Sequence, residues 1–389
     1  MMASHLGQRI ATARRTRRLS QEDLARAAFI STSMLRKIEQ GSRAPSDDTL
    51  EAIADALGMD PGRLLDGHDR SDRRIHAGLP AISAALAAYD IDLGLPAPPW
   101  ERLRAQADEA LQYRLASQYS RLAAIAPALL ADACAALHAS SATDRPAAAR
   151  LLASVARSAD AVAYKAGARD LSARLIDVMR WAAQWAEDPL LDATCSYVRA
   201  ETYFAARAHA AGLRALETAL ETAPATGTGG LAARGALHMR AAVLAGRAGD
   251  ADTAAGHIRE ARTLGDRIPE AIYQGTAFGP ESVRIHQVSL GVSLGGDHIA
   301  AALDLAREWK PSQDLPAERR SGFYIELARG QLHEGLVDDA FESLKVARGI
   351  APQHTREHPW AREDAGTLRR LKRADVESLT GFAEWIGAV

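Results

Sequence analysis

The chain has 389 residues, 47% of them hydrophobic and 5% aromatic, with a formal net charge of −2. That length exceeds what one compact core organises and implies two or more domains. The near-neutral charge removes any global argument for nucleic acid and moves the question to local charge. The opening residues, MMASHLGQRIATARR, lack the apolar core of a signal peptide, and no uninterrupted apolar run approaches ~18 residues. A soluble, cytoplasmic protein is expected. Cys134 and Cys195 lie far apart with no CxxC partner and read as free thiols of a reducing compartment.

Five short helices are expected between Leu6 and Leu65. The first, from Leu6 to about Thr16, puts Leu6, Ile10 and Ala13 on one face. Ser20 caps the second, with Asp23 three residues on as an acidic variant of the capping box. Ser31 caps the third, whose buried face would carry Leu35 and Ile38. Pro45-Ser46 precedes a fourth with Leu50, Ile53, Ala54 and Leu57, and Asp60-Pro61 opens a last turn ending at Leu64 and Leu65. Up to Arg43 this region carries nine basic residues (Arg9, Arg14, Arg15, Arg17, Arg18, Arg26, Arg36, Lys37, Arg43) against Glu22, Asp23 and Glu39. Nine minus three leaves +6, a local field suited to phosphates and sensitive to salt.

The charged stretch Asp66 to Arg74, a helix to about Tyr89 and the proline-broken Asp90 to Pro99 read as a connection. The expected division is 1–68, 69–99 and 100–389. From Trp100 onward helix follows helix, and no run has the two-residue alternation of a half-buried strand. The spacing repeats. Around Gly249 stand Ala242, Ala254, Ile258 and Ala261; around Gly335, Ala328, Ala340, Leu344 and Ala347; a third copy is Ala200, Gly212, Leu216 and Ala219. Weaker copies surround Gly167 and Gly296. These are helix pairs whose small residues allow close approach. The pattern resembles the tetratricopeptide repeat, with a period nearer forty residues than 34. About five or six units in an all-α solenoid are expected, an ordinary helical bundle being the alternative.

No sequence feature points to catalysis, a cofactor or a metal. HTREH, His354 to His358, has the order of a zinc-peptidase motif, but Pro359 pushes His358 out of helical geometry, and a solvated loop is expected. The stretch Thr226 to Gly230 reads as a flexible linker. Trp181 and Trp185, four apart, read as core.

The segments LGQRIATARRTRRLSQEDLA, ISTSMLRKIEQG and PSDDTLEAIADALG resemble the Xre-type helix-turn-helix of phage repressors over about sixty residues. The resemblance implies a third helix, entered at Ser31, that lies in the DNA major groove. Thr32, Ser33, Met34 and Lys37 would face base edges, Arg36 would flank them, and Gln21 and Arg43 would meet phosphates. Lys37 would carry a guanine contact. Arg14 and Glu39 match the pair that sets the angle of this helix. Where the family has its turn glycine this chain has Phe29, which would cost roughly 1–2 kcal/mol if φ stays positive.

RRIHAGLPAISAALAAYD, TAFGPESVRIHQVSLGVSLGGD and the terminal repeat further resemble actinobacterial regulators that join such a reader to a repeat-built domain. Those relatives often carry Asn at the position of Ser282. The resemblance implies a homodimeric transcriptional regulator on an inverted repeat of double-stranded DNA, often of specialised metabolism. Its solenoid would sense a small ligand or peptide through a concave groove, with Tyr164, Arg199, Tyr203, His238, Arg240 and Arg284 as candidate contacts. The alternative is an adaptor whose solenoid recruits a partner protein to DNA without a small ligand.

Overall fold

The structure is a computed structural model that describes residues 2–17, 19–43, 45–57, 70–371 and 376–388. The chain separates into two compact units, Met1–Arg73 and Arg74–Val389.

In the first unit, α1 spans Met2–Thr16, α2 Gln21–Ala27, α3 Thr32–Glu39 and α4 Asp47–Ala56. The Ser20 hydroxyl accepts from the Asp23 N–H while Asp23 accepts from Ser20, so both ends of the capping box close. The Ser31 hydroxyl accepts from the Met34 N–H and starts α3. Leu24, Leu35, Ile38, Leu50, Ile53 and Leu57 meet in one small core. Phe29 ends α2 with φ 54, and the N–H of Ile30 returns to the Ala25 carbonyl. The left-handed turn is therefore kept without glycine. The helix expected at residues 60–65 lies outside the described residues.

In the second unit, α5 (Arg70–Ala85) contributes Ile75 and Ile82 to the core from Ile75 onward, so this segment is more than a connector. Residues 92–99 then run without helix. Helix pairs follow in chain order: α6 (Trp100–Leu115) with α7 (Tyr119–His138), α8 (Arg145–Lys165) with α9 (Arg169–Ala183), and α10 (Pro189–Ala206) with α11 (His209–Thr222). Next come α12 (Gly227–Arg247) with α13 (Ala251–Gly265), and α14 (Pro280–Leu294) with α15 (Asp297–Glu308). The last are α16 (Ala317–His333) with α17 (Val337–Ile350), the short α18 (Pro352–Glu357), and α19 (Pro359–Leu371) with α20 (Val376–Ile386). Seven pairs thus stack among the described residues, where about five or six were expected. The α6–α7 pair turns at Ser117 (φ 56) and has Leu122 where the repeat has a small residue five positions after the turn, which hides it from the pattern.

The small residues of the repeat pattern sit where the helices touch: Ala200, Ala242, Ala254, Ala261, Ala328, Ala340 and Ala347 are all fully buried. First helices of successive pairs also contact one another, α6 to α8, α8 to α10, α10 to α12, α12 to α14 and α14 to α16, and so form a continuous inner layer. Helix α7 is long and apolar enough to cross a bilayer by length and composition, and Leu122, Leu129, Leu130 and Ala133 on it are core residues. Both cysteines are buried free thiols, with burial pushing their pKa up to about 11 and 12.

Three expectations are corrected. A two-stranded hairpin exists, β1 (Ala271–Tyr273) antiparallel to β2 (Thr276–Phe278), with Ala271 opposite Phe278. Three-residue strands are too short to print an alternation, although Gln274-Gly275, both at positive φ, is a hairpin turn. Residues 227–230 form the first turn of α12, not a linker. A side chain at Gly230 would lie 2.7 Å from the Pro224 carbonyl oxygen, so close approach selects glycine there. HTREH is not solvated: His354 is buried on α18, where its Nδ1 pairs with Ser321 Oγ at 2.6 Å, and His358 follows the helix end in extended conformation.

Candidate functional site

The reader unit carries two kinds of charge. Inside, Arg14 on α1 grips Glu39 on α3 with Nε at 2.7 Å and Nη2 at 3.0 Å, while Nη1 donates to the Leu19 carbonyl at 2.9 Å. Gln21 Nε2 completes the cluster by donating to Glu39 Oε2 at 2.7 Å. Burial alone would raise the Glu39 pKa, but hydrogen bonds from Arg14 and Gln21 outweigh it and hold the carboxyl below its ordinary value. Three helices are thereby cross-linked around the base of α3. Gln21 opens α2, where the expected phosphate contact is with backbone N–H groups, and its side-chain amide faces Glu39.

Outside, Ser33, Arg36, Lys37 and Arg43 are exposed on α3 and the loop after it, Thr32 and Met34 are half-buried, and Met34 packs on the core edge. Ser31 is exposed, but its hydroxyl is used in the cap. Exposed positive charge therefore lies along one edge of α3, while Leu35, Ile38 and Glu39 form its buried edge. One determinant escaped the sequence reading. A Cβ at Gly7 would lie 2.1 Å from the Ile38 carbonyl oxygen, so α1 crosses the backbone of α3 at that glycine.

In the second unit the inner layer encloses a cavity of about 450 Å³. Of the six candidate ligand residues, Tyr164 and Arg240 line it. The other four do not. Arg199 stacks on Tyr203 at 5.5 Å. His238 and His257 share an Nδ1···Nδ1 contact of 2.9 Å, and burial, with the His257 and Arg234 charges, lowers the His238 pKa to about 4. Arg284 lies over Trp309 at 5.6 Å beside a separate pocket. Trp181, half-buried, packs edge-on with Tyr89 against the core, whereas Trp185 is exposed under Arg145, so the two tryptophans part company.

Residues that sequence reasoning missed dominate the cavity. Arg114 and Arg157 are buried and reach the hairpin turn: Arg114 Nη2 to the Gly275 carbonyl at 2.7 Å, Arg157 Nη1 to the Gln274 carbonyl at 2.6 Å, and Arg157 Nη2 to Thr276 Oγ1 at 2.7 Å. Lys165 pairs with Glu318 at 2.8 Å and Arg240 with Glu201 at 3.2 Å. Arg319 donates to the Tyr197 hydroxyl at 2.5 Å. Burial would raise the Tyr197 pKa, yet Arg240, Arg319 and Arg157 pull it below its ordinary value, a sign of a positive field. Their only sequence signal is arginine on the inner helices, which a long-range turn contact does not reveal. Ser282 is fully buried and donates through N and Oγ to Glu270, a structural tether at the start of α14. Among the described residues no group of three or more His, Cys, Asp or Glu is placed to hold a metal.

Residues 5–66 match the model of a helix-turn-helix domain. The chain is 48% identical over 60 residues to the immunity repressor protein of Bacillus phage phi105. That alignment covers 15% of this chain and 42% of the repressor, so the chain spans about two fifths of its curated relative's length. Among solved structures, PlcR of Bacillus thuringiensis in complex with the peptide PapR7 and DNA aligns over 67% of this chain and 94% of its own, at 14% identity and TM-score 0.25. The apo competence regulator ComR of Streptococcus vestibularis aligns over 75% and 99%, at 18% identity and TM-score 0.26. At these TM-scores neither superposition assigns a site or a ligand. The matched helix-turn-helix segment and the phage repressor are what the comparisons attach to this chain.

Proposed function

We propose that the protein is a sequence-specific, DNA-binding transcriptional regulator that acts by binding alone, as a cytoplasmic homodimer on an inverted repeat. Its second unit binds a small ligand or peptide in the inner cavity, and occupancy changes affinity for the operator. The observation that carries this reading is the helix-turn-helix match over residues 5–66. The exposed Arg36, Lys37 and Arg43 on the α3 side support it.

In this reading α3 enters the major groove with Thr32, Ser33 and Lys37 toward base edges, Met34 giving apolar contact at the margin, and Arg36 and Arg43 on phosphates. Thr and Ser are short, so Lys37 supplies the most discriminating contact and the phosphates much of the affinity. Fluorescence anisotropy with DNA from upstream of the protein's own gene tests it. Binding should fall steeply with salt and be sequence-dependent. Lys37→Ala should relax preference at one base position by about 1–3 kcal/mol, whereas Arg43→Ala should weaken all sequences alike. A complex that is equally strong on unrelated DNA would overturn the reading.

A further inference from the structure

The cavity has more cation than its carboxylates neutralise. Among the described residues, Lys165 and Arg240 have carboxylate partners, whereas Arg114, Arg157 and Arg319 form no ion pair. Arg114 and Arg157 are each 8% exposed, and their nearest oxygens belong to neutral groups of the hairpin turn. The Arg114 Nε–H and the Arg240 Nε–H, both buried, meet no acceptor at all. Glu201, Glu318 and Asp160 line the same cavity without pairing directly with Arg114, Arg157 or Arg319, and a buried guanidinium with no ion-pair partner is a group that a ligand can complete. Burial and the neighbouring Arg114 push the Arg157 pKa down to about 9, which agrees with an excess of positive charge at this place.

We infer that the inner end of the cavity is an anion site, built for the carboxylate or phosphate group of the ligand and held by Arg114, Arg157 and Arg319. This rests on the reading that the cavity is the sensing site. The chemistry follows from the donors. Guanidinium forks present paired N–H groups that match the two oxygens of a carboxylate or phosphate, a geometry that chloride cannot use. Phe204 and Trp360 on the cavity wall suit an apolar body behind the anionic head. The bonds to the Gln274 and Gly275 carbonyls are the ones an anion would compete with. The hairpin turn is therefore the element that shifts when the site fills.

The test is calorimetric titration of the full chain at constant ionic strength, with inorganic phosphate, citrate, and a short peptide ending in phenylalanine with either a free or an amidated C-terminus. Saturable binding of at least one oxyanion probe, absent with chloride, is expected at millimolar concentration or below. Arg157→Gln should weaken it by about 10- to 100-fold, the loss of one or two charge-assisted bonds. If Arg157→Gln does not fold, Arg319→Gln gives the same readout from α16 without touching the hairpin. Binding of the free-acid peptide but not its amide identifies a peptide carboxylate as the source, and phosphate or citrate binding identifies a free acid. No saturable binding by any probe, or unchanged binding in the folded variant, overturns the inference. DNA affinity measured on the same samples separates the failures. Intact DNA binding without anion binding sinks only the anion site, and anion binding without DNA binding sinks only the regulator.

Discussion

The two units handle buried charge in opposite ways. In the reader, Arg14, Glu39 and Gln21 satisfy one another inside, and the surplus positive charge stays at the surface. In the second unit, Arg114 and Arg157 lie in the interior and hydrogen-bond only to carbonyl and hydroxyl oxygens. A closed network fixes the angle of a helix that must present its outer face. An open one leaves donors whose natural partner is a ligand. The contrast separates a closed polar network from a cavity with unpaired donors, on which the proposed anion site rests.

The sharpest way to break the comparison is to open the closed network. Glu39→Gln should destabilise the reader by about 3–5 kcal/mol, because it leaves the buried Arg14 unpaired. Hydrogen exchange of α3 amides in the full chain would report it. The same pair sets a pH dependence. The folded Glu39 pKa lies below its unfolded value, so the stability it contributes is complete above about 4.5 and is lost as pH falls from there. If α3 protection were unchanged in Glu39→Gln, the network would not be what holds the helix.

Next in size is Gly7→Ala, expected to cost about 3 kcal/mol because α1 must move off the Ile38 carbonyl. It should loosen α3 without altering any charge, and so separates packing from pairing.

In the second unit the buried Glu326, hydrogen-bonded to Ser289 and near Arg247, Arg329 and Asp364, has its pKa raised to about 7, first by burial. Its folded value lies above its unfolded one. The unfolded chain therefore releases the proton first, and stability falls as pH rises from about 4.5 to 7. A loss of about 3 kcal/mol at most is expected across that window. Urea unfolding at several pH values should show the slope in the wild type and a flatter profile in Glu326→Gln. Equal slopes would remove Glu326 as the cause.

The smallest expected effect is a gain. Phe29 is 96% exposed at φ 54, so Phe29→Gly relieves left-handed strain without losing burial. It should stabilise the reader by about 1 kcal/mol in thermal unfolding. If it destabilises instead, the ring has a packing partner in solution.

How much of this was legible depended on the range of the interaction. Ser20 and Ser31 act on N–H groups three residues away, so their caps could be read directly. The glycine-centred repeats were readable because each glycine sits in a turn between helices that are neighbours in sequence. The pair that turns at Arg207 was readable through its small residues Ala200 and Gly212, whereas the pair at Ser117, with Leu122 in place of a small residue, was not. Of the candidate ligand residues, Tyr164 and Arg240 line the cavity, and Arg199, Tyr203, His238 and Arg284 do not. Helical spacing says which residues share a face, and it does not say where a superhelical stack turns that face.

By itself, the sequence determined the helices, their caps, the left-handed turn at Phe29 and the positive surface of the reader. These follow from contacts within a few residues or from composition. Tertiary structure alone decided that Gly7 must be glycine, that Gln21 turns to Glu39, and that Arg114 and Arg157 meet the turn at Gln274 and Gly275. Those partners are separated by 18 to 161 residues, and only packing brings them together. The cavity belongs wholly to that second class. Its charge excess arises when cations from helices far apart in the chain converge on one partly open cavity.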